Sequence, residues 1–342
     1  MDLQNKFNLI VRNLGEIVGE DKIKDILKKR NLKVYWGTAP TGKPHIAYFL
    51  PIVKIADLLK SDCEVIILFA NIHAYLDNMK SSWDILDYRT QYYEIIIKEM
   101  LKSIGVNIKK LKFVMGSDFQ LKKEYTLDVY KLSAISNLND CTRAGAEVVK
   151  QVKSPKLSGL LYPILQSLDE IYLGVDAQFG GIDQRKIFMY AREFLPKIKH
   201  SSQIHLMNPM IAGLTGNKMS SSDNNSKIDI LDSPDLIKKK FNKANCVEGD
   251  KNNNAILDLT KYIIFPLLDY KLTSFKIERP EKFGGNLEFN CYEDLECSFV
   301  SKELHPSDLK QAVSNFFIEL TNPIRDCFNN SKNKLILKKA YE

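Results

Sequence analysis

The nine residues GTAPTGKPH, positions 37–45, close an apolar run, LKVYWGT (32–38), and open an amphipathic one, HIAYFLPIVKIADLLKS (45–61). Strand, Gly/Pro turn and helix in that order build phosphate sites, because the turn's N–H groups and the helix N-terminus both attract anions. Gly37, Gly42 and Lys43 fit the G-x-x-x-x-G-K core of a P-loop, but Pro44 stands where a hydroxyl residue should hold Mg²⁺. No Walker-type acidic strand follows in register and no G-x-G-x-x-G occurs, so the P-loop and dinucleotide readings both fail.

The rhythm continues outward. CEVIILFAN (63–71) is apolar and of strand length, a helix is expected at about 84–104, and LKFVMGS (111–117) supplies another strand. Such alternation predicts a Rossmann-like, doubly wound parallel sheet, whose ligands sit at the carboxyl ends of the strands. Residues 1–30 read as helical, and 119–160 as a helical insertion between two halves of the sheet. LLYPILQSLDEIYL (160–173), VDAQFGGIDQ (175–184) and QIHLMNPMIAGL (203–214) restore the pattern. Beyond KMSSSDNNSK (218–227) the chain reads mainly as helices broken by ERPEKFGGN (278–286). The expected division is an α/β domain over 1–227 and a mainly α-helical one over 228–342.

Composition sets limits. The 342 residues are 44% hydrophobic and 27% charged, ordinary for a soluble protein with two cores. No apolar stretch is long enough for a membrane span, and the first residues lack a signal-peptide pattern. Six scattered cysteines without a C-x-x-C pair read as reduced thiols, not as a disulfide framework or a zinc site. A net charge of +7 permits a polyanionic partner without requiring one; taken singly, each basic cluster reads first as a solvated helix face.

PTGKPHIAY (40–48) followed far downstream by GNKMSSS (216–222) resembles the HIGH and KMSKS motifs of class I aminoacyl-tRNA synthetases. Read physically, Pro44 suits a first helical turn, and Thr41 and His45 are placed to donate to phosphate oxygens. Lys218 brings charge for a leaving pyrophosphate. The resemblance implies catalytic roles for Thr41, His45, Lys218, Ser220 and Ser222, and ATP contacts at Gly37, Gly42, Gly181, Asp183 and Met219, with Mg²⁺ arriving on ATP. Ala47 and Tyr48 occupy the third and fourth HIGH positions, and Ser221 stands where many members carry a second lysine. These variants resemble those of eukaryotic cytosolic tyrosyl-tRNA synthetases.

Tyr162, Gln166 and Asp169 recur at i, i+4 and i+7, one face of a helix flanked by an apolar stripe. Buried, such a face needs polar partners, and a small polar ligand would provide them. With Tyr35 and Gln184 these residues match the tyrosine pocket of the tyrosyl enzymes. The resemblance implies that Tyr35 and Asp169 hold the substrate phenol, while Tyr162, Gln166 and Gln184 hold its ammonium. A tryptophanyl enzyme is the nearest alternative, since Asp169 would also accept an indole N–H. An RNA-binding descendant without catalysis, or a nucleotidyltransferase sharing only the first motif, stands further off.

RPEKFGG (279–285) and ELHPSDLK (303–310) resemble the family's anticodon-reading elements. The match implies Phe283 stacked on a base with His305 and Asp308 at its edge, although a core aromatic and a helix N-cap would look alike. His73 is expected either to line the pocket or simply to pack, and Asn71 stands where the family usually has Asp. The resemblance covers about residues 5–340 and implies a cytoplasmic homodimer, joined through 119–160, that binds tRNA(Tyr) and forms tyrosyl-adenylate.

Overall fold

The run at 32–38 becomes the middle of a six-stranded sheet. The computed structural model describes residues 1–77, 81–149, 153, 156–215 and 227–342. Strands β1 (Glu16–Val18), β2 (Lys33–Thr38), β3 (Glu64–Phe69), β4 (Leu111–Met115), β5 (Ala177–Gly181) and β6 (Ile204–Asn208) pair in the order β1-β6-β5-β2-β3-β4. β2 to β6 run parallel, with Tyr35 in register with Ile66 on one side and Gln178 on the other. Val34, Val65, Ile67 and Phe179 are buried, as strands covered by helices on both faces require.

From β2 the chain winds outward to β3 and β4, then returns to β5 on the opposite side of β2. The strand order therefore reverses between β2 and β5, and the crevice at such a switch point is where ligands bind. GTAPTGKPH leaves β2 there, and GGIDQ leaves β5 beside it.

The expected helical stretch at 1–30 is interrupted. Helices Leu3–Val11 and Glu20–Leu27 flank β1, which pairs antiparallel with β6. Three residues are too few to show strand alternation, and Gly19 (φ 86°) supplies the left-handed turn out of the strand. The insertion consists of helices Ser117–Gln120, Lys123–Ile135 and Leu138–Gly145, followed by the buried Leu157–Tyr172 helix. Asn137 and Asp140 form a reciprocal capping box that starts the Leu138–Gly145 helix.

After residue 227, Ser233 caps helix Pro234–Lys243 by accepting from Leu236 N, as a Ser-Pro start predicts. Helices Tyr292–Val300, Pro306–Cys327 and Ser331–Tyr341 follow. The segment 278–286 is framed by β7 (Phe275–Ile277) and β8 (Leu287–Phe289), an antiparallel pair that the sequence reading did not separate from its helices.

One apolar cluster crosses position 227. Phe49 packs against Phe317 with ring centroids 6.3 Å apart, and Tyr92 against Phe328 at 5.4 Å. A polar lock lies nearby: Arg12 donates to both oxygens of the buried Asp57 (2.9 and 2.7 Å) and reaches Asp269 at 3.3 Å. Buried Lys54 donates to the carbonyls of Leu9, Ile10 and Arg12, satisfying the end of the first helix, and pairs with Asp57 at 3.1 Å.

Candidate active site at the carboxyl edge of the sheet

His45 is held in extended backbone (φ −122°, ψ 173°) because its neighbours pair with the strand-like segment after residue 227. Ile46 N donates to the Ile228 carbonyl at 2.9 Å, and Ile230 N to that of Pro44 at 3.3 Å. A 3-10 turn, Ile46–Tyr48, follows, and the α-helix begins only at Phe49. Pro44 therefore lies ahead of the first helical turn, contrary to the sequence reading; the pairing with 228–230 keeps the next residue, His45, extended. Burial, and then the charge of Lys227, push the His45 imidazole down to about 3, so it is neutral and carries one N–H; its Nδ1 is buried with no hydrogen-bond partner among the described residues. Lys218, Met219, Ser220, Ser221 and Ser222 lie outside the described residues.

Tyr48, in place of a second histidine, lies with its hydroxyl 3.4 Å from that of Tyr93, which in turn donates to the Gly42 carbonyl. Tyr93 went unnoticed in the sequence, being one aromatic among several on the Trp83–Ser103 helix.

These elements enclose a cavity of about 370 Å³. Thr41, His45 and Gly37 line the side contributed by β2 and its loop; Gly181, Asp183 and Gln184 line the side contributed by β5. Tyr35, Tyr162, Gln166 and Asp169 form its wall, and all four are buried. The structure thus brings together all five residues of the expected amino-acid pocket. Gln166 Nε2 donates to Gln184 Oε1 at 2.7 Å, and the Tyr35 hydroxyl approaches the Gln166 carbonyl at 3.4 Å.

Asp169 is the most constrained of them. Its Oδ1 accepts from Gln120 Nε2 and from the Tyr125 hydroxyl, each at 2.8 Å. Its Oδ2 lies 3.8 Å from His73 Nε2 and accepts no hydrogen bond from the described residues. Burial pushes the carboxyl up to about 7, against the pull of the two donors. The Tyr35 phenol is raised by burial and then by the neighbouring Asp169 charge. Gln120 and Tyr125 were missed in the sequence; the available signal was that a buried Asp169 must have donors from somewhere.

His73 lines the cavity, its ring edge-on to Tyr162 with centroids 4.7 Å apart, and burial lowers it to about 3. Asn71 is buried but serves the scaffold. Its Oδ1 accepts from the backbone N–H of Ile72 (3.1 Å) and Ser117 (3.0 Å), and its Nδ2 donates to Ser117 Oγ at 2.9 Å. A β-carbon on Gly181 would run into the Asp183 carboxylate, and one on Gly180 into the Gln184 amide. The room that Gly181 leaves is thus taken first by this chain's own Asp183.

The other expected constellation lies apart. Phe283 is exposed at the end of a 3-10 turn, just before Gly284 and Gly285, both with positive φ. His305 caps helix Pro306–Cys327, its Nδ1 accepting from Ser307 N at 3.2 Å, and Asp308 sits in the first turn. Arg279 links the two segments, donating to the Gly285 carbonyl and the Glu303 carbonyl, each at 2.8 Å. Among the described residues no cluster of three metal-ligating side chains occurs, and no helix is long and apolar enough to cross a membrane.

A doubly wound sheet binds ligands at its switch point, and the chain matches the family model for class I tRNA synthetases (W and Y) over residues 27–322. The chain belongs to this family. Its relatives place it on the tyrosyl side. It is 56% identical over 338 residues to the cytoplasmic tyrosine–tRNA ligase of Gallus gallus, covering 99% of this chain and 63% of that protein. It is 50% identical to the cytoplasmic enzyme of Saccharomyces cerevisiae, covering 97% of this chain and 86% of the yeast one. The crystal structure of the Archaeoglobus fulgidus tyrosyl-tRNA synthetase complexed with L-tyrosine superposes with TM-score 0.88 at 37% identity, over 95% of this chain and 99% of that one. The chain spans just under two thirds of the length of the vertebrate relatives, 63–64%.

Proposed function

We propose that the protein is a tyrosine–tRNA ligase. Its first reaction joins L-tyrosine and ATP: a carboxylate oxygen attacks the α-phosphorus, and pyrophosphate leaves with the bond electrons. In the second, a ribose hydroxyl of the terminal adenosine of tRNA(Tyr) attacks the tyrosyl carbonyl and AMP departs. The observation that carries this reading is Asp169, buried, with one oxygen saturated by Gln120 and Tyr125 and the other without a donor among the described residues. A ligand phenol is a donor of the right kind. A site built to pair a hydroxyl rejects the analogue lacking one, because its own polar groups would be left unpaired; tyrosyl enzymes are the type example of that rule.

In this reading Tyr35 and Asp169 hold the phenol, and Tyr162, Gln166 and Gln184 the ammonium. Thr41 and His45 face the phosphates, with Gly37, Gly42, Gly181 and Asp183 shaping the nucleotide side. Neutral His45 donates a hydrogen bond without adding charge, which leaves positive charge to Lys218 and to the Mg²⁺ carried by ATP. Catalysis then rests on positioning and on charge stabilisation that strengthens as the α-phosphorus becomes five-coordinate.

Residues 228–342 act as the anticodon-reading part, with Phe283 stacking on a base and His305 and Asp308 at its edge. Exposed Leu121, Leu127, Tyr130 and Leu138 on the insertion support a homodimer joined there. A cytoplasmic location follows the relatives' names. Amino-acid-dependent ATP–pyrophosphate exchange, comparing tyrosine, tryptophan and phenylalanine without tRNA, tests the reading. Exchange with tyrosine alone is expected; exchange driven by tryptophan would overturn the pocket assignment.

A further inference from the structure

Resting on that function, we propose that Arg89 and Tyr341 are positioning residues for the loop that carries Thr41 and His45. Arg89 lies on the Trp83–Ser103 helix, outside the cavity lining. Its Nε donates to the Ala340 carbonyl at 3.0 Å, and its Nη1 to Ser81 Oγ at 2.7 Å. Ser81, fully buried, donates onward to the Pro40 carbonyl at 2.9 Å. A continuous chain of hydrogen bonds thus runs from the last turn of the Ser331–Tyr341 helix to the residue preceding Thr41.

The Tyr341 ring supplies a second brace. The Arg89 guanidinium carbon lies 4.9 Å from its centroid and Lys43 Nζ 5.5 Å, both within cation–π range. Tyr92 packs edge-on to the same ring at 5.2 Å, and the next residue, Tyr93, donates to the Gly42 carbonyl. A trans peptide is planar, with its C=O and N–H opposed, so fixing the Gly42 carbonyl fixes the direction of the Lys43 N–H, while fixing the Pro40 carbonyl holds the Thr41 N–H on the Ala39 carbonyl, to which it donates at 2.9 Å. Both peptides of the turn are therefore set from behind, by side chains outside the cavity lining. The Tyr341 hydroxyl is buried and has no hydrogen-bond partner among the described residues, so the ring alone does the bracing.

The test compares Arg89→Ala, Arg89→Lys, Tyr341→Ala and Tyr341→Phe in tyrosine-dependent ATP–pyrophosphate exchange, with hydrogen exchange of residues 39–45 followed in the same proteins. Arg89→Ala and Tyr341→Ala are expected to raise the KM for ATP about tenfold, the scale of one lost charge-assisted hydrogen bond, while the KM for tyrosine stays within about twofold. Amide exchange at Thr41 to His45 should quicken in both. Arg89→Lys should recover part of the loss, and Tyr341→Phe should match the unaltered protein. The proposal is overturned by unchanged ATP KM and loop exchange in Arg89→Ala, by an equal rise in both KM values, or by Tyr341→Phe behaving like Tyr341→Ala. If the unaltered protein gives no tyrosine-dependent exchange, the ligase reading fails instead, and the amide-exchange arm still decides whether the loop is braced.

Discussion

Tyr125, in the first turn of the Lys123–Ile135 helix, donates its phenol to Asp169 Oδ1 at 2.8 Å, so a residue of the insertion orients the carboxylate at the base of the pocket. Removing that hydroxyl while keeping the ring leaves Asp169 with Gln120 as its one donor among the described residues. Tyr125→Phe is expected to raise the KM for tyrosine about tenfold and to leave the KM for ATP unchanged. Steady-state exchange kinetics with each substrate varied in turn checks this.

Asp169 also gives the unliganded protein a defined pH response. Its carboxyl titrates near 3.8 when solvated and about 7 when folded. Between those values the folded protein holds a proton that the unfolded chain releases. The stability this supplies is fully present below about pH 4 and is lost as pH rises through about 7. Urea midpoints of the unliganded protein should therefore decline across that window, and Asp169→Asn should flatten the decline. An identical slope in the variant would assign the effect to another group.

Gly181→Ala places a methyl group where the Asp183 carboxylate now rests. Asp183 must swing away, and with it the nucleotide side of the cavity changes. We expect the KM for ATP to rise about tenfold or more, since misplacement by an ångström carries that scale of penalty. The displaced group is the end of a flexible side chain, so the loss in ATP kinetics should exceed any loss of stability. A large stability loss with normal ATP kinetics would contradict this account.

On the proposed reading, in which Phe283 stacks on a tRNA base, Phe283→Ala should separate the two halves of the reaction. Loss of one stacked base costs about 1–3 kcal/mol, so aminoacylation at limiting tRNA should weaken roughly 10- to 100-fold. Tyrosine-dependent pyrophosphate exchange, which needs no tRNA, should be unaffected. A variant with unchanged tRNA KM would make Phe283 an incidental exposed ring.

Arg12→Ala leaves Asp57 buried with Lys54 and Tyr270 as its remaining partners. Breaking a buried pair from one side is destabilising by about 3 kcal/mol. Chemical denaturation should register that loss with little change in either KM, as the network stands away from the cavity lining.

Much of the site was legible because its residues obey helical spacing or follow strands directly. Tyr162, Gln166 and Asp169 share a face by arithmetic alone; the alternation of strand and helix had placed the segments of Tyr35 and Gln184, although Tyr35 lies inside β2, not at its end, and Gln184 in the turn after β5. What escaped were contacts whose partners lie far apart in sequence: Gln120 and Tyr125 onto Asp169, Tyr93 onto Gly42, Arg12 onto Asp57 and Asp269. No local pattern marks such pairs; they appear only as a debt, a buried carboxylate or carbonyl that must be satisfied by something. β1, β7 and β8 escaped for another reason, since three residues are too short for period-two alternation to register. Pro44 was misplaced because the extension at His45 is imposed by a segment nearly two hundred positions away.

The packing of Phe49 on Phe317 and of Tyr92 on Phe328 bears on how this chain can be cut and recombined. A junction near 227 looks like a natural place to exchange one C-terminal part for another, yet the seam there is apolar core, matched ring to ring. A graft that ignored it would expose those rings in both pieces and invite aggregation before any question of RNA specificity arose. Exchange of recognition properties is better sought in the 278–286 loop and the start of the Pro306–Cys327 helix, which touch solvent and can vary while the seam stays whole.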